Sequence, residues 1–261
     1  MSTSDMANAP ILVVPDKVSK EAPWRWLAAG WQDIWRNPVF SLGYGLTFVL
    51  IGFAITAGLW KIGMSSTIPV AAGAFALVGP LIAVGLYEMS RRYQTGEPLS
   101  LKGVVLVKTA SPIHLFYIGF LLLFALMVWS RIALMLYALF ISGTYLPLSA
   151  FAEFVFETPQ GLSMLVVGTA IGGIIAFAMY AMTAFAVPLL MDRNMDALEA
   201  VVRSVQLIAK NPVPMLIWAW LIAGLVAIGI ATGFLGLIII FPLLGHATWH
   251  AYDDLFGALK R

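Results

Sequence analysis

VFSLGYGLTFVLIGFAITAGLW, residues 39–60, runs for 22 positions without a charged side chain. A helix of about 20 apolar residues, rising 1.5 Å per residue, crosses a hydrocarbon core about 30 Å thick. Five further segments of similar character follow: Ile68–Glu88, Ile113–Arg131, Leu162–Leu190, Val213–Ile230 and Phe234–Trp249. The whole chain is 61% hydrophobic and only 11% charged. No soluble fold requires six such runs, so the sequence predicts an all-α, polytopic membrane bundle of six transmembrane helices. The lipid bilayer is its first partner.

Charge placement sets the orientation. Lys17, Lys20, Arg25 and Arg36 precede the first segment; Arg91, Arg92, Lys102 and Lys108 separate the second from the third; Arg193, Arg203 and Lys210 separate the fourth from the fifth; Lys260 and Arg261 end the chain. Six crossings put all of these on one side and leave only Lys61 and Arg131 on the other. The positive-inside rule then predicts a bacterial inner-membrane protein with both termini in the cytoplasm. Fifteen Lys and Arg against 13 Asp and Glu give a net charge of +2, which offers no basis for a nucleic-acid partner. The absence of cysteine removes disulfides, thiolate metal sites, iron–sulfur clusters and cysteine nucleophiles. Ala9–Val14 is too short for a signal-peptide core, so residues 1–22 read as a flexible cytoplasmic tail, 23–255 as the membrane domain and 256–261 as a second tail.

An internal repeat organises the membrane domain. Trp24, Leu27, Ala28, Trp31, Ile34 and Trp35 share a helical face ahead of Asn37-Pro38; Leu198, Val201, Val202, Val205, Ile208 and Ala209 share one ahead of Asn211-Pro212. Counted back from the two prolines, all six positions coincide. A fainter copy, from Glu97 to Ser111-Pro112, keeps Leu101 and Val105 but carries Lys102 and Lys108 at otherwise apolar places. The expected unit is an amphipathic helix at the membrane surface, a proline that breaks it, then an ascending and a descending span. Each descending span carries a Pro-Leu pair, at Pro80, Pro188 and Pro242. The units run over about 23–90, 97–192 and 196–252, three hairpins in one orientation.

Aligned on those prolines, ionisable residues converge at one level: Asp192 and His246 four residues on, and Glu88, Asp196 and His250 eight residues on. His246 and His250 are spaced i, i+4 and so share a helical face, and His114 opens the third span at the same depth. Two neutral imidazoles near a carboxylate suit a metal or haem. A plainer reading has them hydrogen-bonding backbone carbonyls or Glu88 near a helix end. The segment reads HATWH, without the glutamate of a zinc-protease helix, and a bis-histidine haem would need His114 to face His246. No catalytic residue or bound cofactor is expected, and whether this cluster of Glu88, Asp192, Asp196, His246 and His250 holds a metal stays open. Phosphate-binding loops, nucleotide fingerprints and serine nucleophile elbows are missing, and no carboxylate lies at mid-membrane depth.

Arg131 is expected to reach the outer surface at a break in the third helix, and Glu153 and Glu157, with Phe151, Phe154 and Phe156, form a short acidic amphipathic helix beyond it. Glycines such as Gly45, Gly52, Gly58, Gly73, Gly79, Gly85, Gly168 and Gly172 predict close helix packing, within the bundle or across an oligomer.

GWQDIWRNPVFSLGYGLTFVL, GPLIAVGLYEMSRRYQTGEPLSL and FPLLGHATWHAYDDL resemble an uncharacterised bacterial family of integral membrane proteins, a domain of unknown function sometimes labelled as like cytochrome c oxidase subunit I. The likeness runs from Pro23 to Leu255 and implies membrane topology and bacterial origin. The label implies haem–copper chemistry, for which three histidines in all are too few. Three functions stay open: a non-enzymatic accessory or assembly subunit of a membrane complex, such as a respiratory one; a small-solute or lipid transporter using the polar ring; and a haem- or metal-binding protein. The complex or a homo-oligomer would supply the partners.

Overall fold

The computed structural model describes residues 17–141 and 145–257, so most of the first tail, residues 142–144 and the end of the second tail lie outside the described residues. Every regular element among the described residues is helical. In chain order these are α1 (Ala22–Arg36), α2 (Pro38–Lys61), α3 (Ile68–Ile82), α4 (Val84–Thr95), α5 (Leu101–Val105), α6 (Pro112–Phe140), α7 (Leu148–Glu157), α8 (Pro159–Thr183), α9 (Ala186–Asp192), α10 (Ala197–Lys210), α11 (Pro212–Ala231) and α12 (Leu237–Phe256).

Proline supplies the punctuation. Asn37, Ser111 and Asn211 each stand before a proline that opens the next helix, because the ring disfavours helical backbone in the preceding residue while suiting the first turn, where an N–H has no helical partner anyway. Pro188 cannot donate to the carbonyl of Ala184, and the helix breaks at Ala184–Phe185, separating α8 from α9. Pro242 is absorbed without a break inside α12. It leaves the carbonyl of Ile238 without a helical donor, and Gly45 of α2 packs there: a Cβ at position 45 would lie 2.3 Å from that oxygen.

Five stretches are long and apolar enough to cross a bilayer: Pro38–Lys61, Ser65–Thr95, Pro112–Phe140, Pro159–Asp192 and Pro212–Ala231. The sixth expected span, α12, is not among them, since its second half carries His246, His250, Asp253 and Asp254. The third span also departs from expectation. α6 continues without a break past Arg131 to Phe140, 29 residues in all, because IALMLYALF holds no breaker and keeps the helical ladder intact.

α12 lies at the centre of the molecule. It runs antiparallel to α2 and on against α1: Phe234, just before it, meets Phe53, Ile238 meets Gly45, His246 meets Ser41, Ala247 meets Gly30, and Asp254 accepts a bond from Trp26. The buried core gathers around its second half, with Leu86, Phe185, Leu189, Trp218, Tyr252 and Phe256 fully covered. By contrast, only 6–22% of each apolar stretch is buried inside the protein.

The two amphipathic helices sort their residues alike. In α1, Trp26, Gly30, Asp33 and Ile34 are buried while Trp24, Ala28, Trp31 and Trp35 face outward; in α10, Ala200, Ser204, Leu207 and Ile208 are buried while Leu198, Val202, Val205 and Ala209 face outward. The third copy forms a helix only over the five residues of α5. Lys102 and Lys108 leave too little apolar surface there to hold a longer one in place.

Candidate functional site

α1, α2, α4 and α12 meet at a chain of buried polar side chains. Asp33 comes from the face of α1 opposite its outward tryptophans, Ser41 from the first turn of α2, Ser90 from α4, and His246 and His250 from successive turns of α12. Ser90 Oγ donates to Asp33 Oδ2 at 2.7 Å and stands 2.8 Å from His246 Nδ1. The single Ser90 proton is committed to the carboxylate, so His246 Nδ1 carries a proton and donates it to Ser90 Oγ. In the neutral ring Nε2 is then an acceptor, and Ser41 Oγ donates to it at 3.0 Å. His250 Nε2 donates to Asp33 Oδ2 at 2.7 Å, and Arg36 Nη1 lies 3.3 Å from Asp33 Oδ1.

Burial alone would raise the proton affinity of the Asp33 carboxyl, but the bonds from His250 and Ser90 outweigh it and hold the group below its ordinary range. Asp33 is therefore the anion that organises the cluster. The Tyr93 hydroxyl is buried beside it without a hydrogen-bond partner, and the Arg36 guanidinium lies over the Tyr93 ring, 5.5 Å from its centre.

The residues expected to form one ring divide into separate groups. His246 and His250 do converge, through Ser90 and Asp33. Glu88 is fully buried but faces its own helix, where Arg91 Nη2 and Arg92 Nε each approach to 2.7 Å. Asp192 accepts from the Tyr252 hydroxyl at 2.6 Å. Asp196 caps α10, accepting from the Glu199 amide at 2.7 Å, and His114 Nδ1 accepts from the Ala197 amide at 3.3 Å. His114 and His246 thus serve different partners, and both His246 nitrogens are taken by serines. Among the described residues no three His, Cys, Asp or Glu are grouped to hold a metal ion.

Asp33, Ser41 and Ser90 escaped the sequence reading. Asp33 sits at the place occupied by Leu207 in α10, so the comparison of the two helices held the signal: a carboxylate where the matching residue is apolar and buried.

Beside the cluster, Arg91, Gln94, Asp192, Trp249, Tyr252 and Asp253 line most of a polar cleft of about 310 Å³. Trp249 Nε1 donates to Gln94 Oε1 at 3.0 Å across it, and Gln94 Nε2 donates to Asp253 at 3.3 Å. Both signs of charge reach this cleft, which suits a polar or zwitterionic group better than a simple anion.

Among the described residues the chain is all-helical, and five of its stretches are long and apolar enough to cross a membrane where the sequence predicted six. Residues 67–192 match the family described as "Predicted integral membrane protein (DUF2189)". Over that stretch the chain is similar to an uncharacterised family of integral membrane proteins. The match spans α3 to α9 and is narrower than the likeness read from the sequence, since α1, α2 and α10–α12 lie outside it. Asp33, Ser41, His246 and His250 therefore fall outside the matched region, whereas Glu88, Ser90, His114 and Asp192 fall within it. Neither a curated protein nor a solved structure matches the chain.

Proposed function

We propose that this protein is a non-enzymatic accessory or assembly subunit of a larger complex in the bacterial inner membrane, crossing it six times with both termini in the cytoplasm. The observation that carries the reading is the outward face of α2. Gly43, Thr47, Ala54 and Gly58 lie on one exposed face with Leu50 among them, and a Cβ built at Gly43 or Gly58 meets nothing within 4 Å. Small residues against lipid gain little, but against another helix they let two backbones approach closely. The deep polar cluster adds to this, because its members bond to one another and present little to a substrate.

The sixth crossing is supported by the course of α12 along α2, from Phe53 back to the level of Trp26. A helix antiparallel to a spanning helix over that distance returns the chain to the side where it began. Three related units are supported by the matching burial of α1 and α10 and by the Asn-Pro or Ser-Pro start of α2, α6 and α11. Extraction of the tagged protein from its native membrane in mild detergent, followed by a native gel and mass spectrometry, tests the subunit role. A discrete band holding other membrane subunits is expected; migration without any other chain overturns it.

A small-solute or lipid transporter is the second reading, favoured by the cleft at Arg91, Asp192 and Tyr252. It requires that Glu88→Gln or His250→Gln abolish a flux in folded protein, and an unchanged flux in both removes it.

A further inference from the structure

The polar cleft between α4, α9 and α12 stands at a membrane surface. Asp192 ends one apolar stretch, and the amides of Ala110 and Ser111 donate to the Met191 and Leu190 carbonyls at 2.9 and 3.0 Å, which sets Pro112, the first residue of another, beside it. α4, which supplies Arg91 and Gln94, closes a third. The headgroups of a bilayer crossed by these stretches therefore lie at the level of the cleft. Its volume, about 310 Å³, is at the lower end for a ligand pocket and fits a headgroup rather than a whole lipid.

Two groups at the cleft carry charge that the protein leaves uncommitted. Arg91 gives Nε and Nη2 to a single oxygen of Glu88, at 2.8 and 2.7 Å, and its Nη1 has no partner among the described residues. Glu88 serves Arg92 through its other oxygen, so one carboxylate faces two guanidiniums. Asp253 accepts from Gln94 at 3.3 Å and forms no ion pair among the described residues. Trp249 and Tyr252 line the same cleft; their rings lie 5.1 Å apart, and their polar atoms are held by Gln94 and Asp192. The two charges come at different depths. α4 and α12 run parallel, with Leu86 against Gly245, Ser90 against His246 and Gln94 against Trp249. Arg91 therefore leaves its helix about 4.5 Å nearer the bilayer interior than Gln94, which bonds Asp253.

We infer that the cleft binds the phosphoethanolamine group of a zwitterionic phospholipid, its phosphate on Arg91 Nη1 and its ammonium on Asp253. In such a lipid the phosphate joins the glycerol and the ammonium ends the head. The anionic group thus lies deeper and the cationic group further out, the order in which the protein places their counter-charges. A guanidinium edge suits a phosphate oxygen, and a carboxylate suits an ammonium with three N–H donors. Phosphocholine has no N–H to give Asp253, and phosphoglycerol brings no cation to it. The inference concerns the cleft that favours the transporter reading, but it requires binding and no flux: a protein that moves nothing across the membrane overturns that reading and leaves this one standing.

The test titrates the full-length protein, stripped of lipid in a mild neutral detergent, with single phospholipids and counts lipids per chain by native mass spectrometry. One phosphatidylethanolamine per chain is expected, held about tenfold more tightly than phosphatidylcholine or phosphatidylglycerol of the same acyl chains, as one charge-assisted bond predicts. Asp253→Asn should erase the preference over phosphatidylcholine, and Asp253→Lys should transfer it to phosphatidylglycerol, while Lys102→Gln, outside the cleft, changes neither. Arg91→Gln should weaken all three lipids alike, since each carries the phosphate; if it fails to fold, the two Asp253 variants decide. Free phosphoethanolamine carries the same two charges and separates the sources: in millimolar excess it should leave the lipid in place. Equal affinity for the three lipids, a preference unchanged by Asp253→Asn, or displacement of the lipid by free phosphoethanolamine overturns the inference.

Discussion

At the scale of single residues, Asp33 decides how the charged end of the molecule holds together. It accepts hydrogen bonds from Ser90 and His250 and pairs with Arg36 while almost fully buried, and hydrogen bonds to an ionised group contribute about 1.5–3 kcal/mol each. Asp33→Asn keeps the shape, removes the charge and turns one acceptor into a donor facing donors. It should destabilise the protein by about 2–4 kcal/mol, read as a lower denaturation midpoint in detergent. The pH dependence has a definite sign. A carboxyl held below its ordinary value, about 3.9, contributes stability that is present above that value and lost as the pH falls through its lower folded value. Wild type and Asp33→Asn should therefore differ most near neutrality and converge in strong acid; a gap that widens below pH 4 would contradict the assignment. Ser90→Ala isolates the next link: it strips the acceptor from His246 Nδ1–H in a fully buried place and should cost about 1–3 kcal/mol, with Ser90→Thr recovering part of it.

At the scale of elements, the contact of α2 with α12 rests on a proline and a glycine that work together. Gly45→Ala forces a Cβ to within 2.3 Å of the Ile238 carbonyl that Pro242 leaves free, and the two backbones must separate; a loss of about 1–3 kcal/mol is expected. Gly52→Ala, in the same helix but with nothing within 4 Å, should be neutral or slightly stabilising through helix propensity. Equal losses in the two variants would mean that the close approach carries no energy. The same two helices show what a sequence can reveal. The runs of apolar residues and their proline stops were legible in α1, α2, α6, α8, α10 and α11, because hydrophobic period and a missing N–H act locally. Which third face of α1 turns inward was not, since Trp26, Gly30 and Asp33 become a buried stripe only when α12 lies against them. Glu88 misled for a related reason: its partners, Arg91 and Arg92, were one turn away on its own helix rather than across the bundle. Arg131 misled differently. A lone charge in an apolar run suggested an end, whereas a helix of good formers continues through one arginine without difficulty.

At the scale of the whole molecule, the course of the last helix fixes how many times the chain crosses the membrane. Five stretches pass on length and apolarity, and an odd count would leave the two ends on opposite faces. α12 is more polar because protein surrounds its second half, so a low mean hydropathy there does not by itself argue against the proposed sixth crossing. Its ends give the answer physically. Leu235 lies just before α12, beside the Phe234–Phe53 contact, while Asp254 near its other end bonds to Trp26 of α1, ahead of the first span. If Leu235 and Asp254 lie on opposite faces, the chain crosses six times; if on one face, five. Both are accessible, and the chain has no native cysteine to confuse a thiol probe. In sealed right-side-out vesicles, a membrane-impermeant maleimide should label Leu235→Cys at once and Asp254→Cys only after the membrane is opened, with Ile62→Cys behaving like the first and Glu97→Cys like the second. Simultaneous labelling of Leu235→Cys and Asp254→Cys in intact vesicles would leave α12 on one side of the bilayer and overturn the proposed sixth crossing.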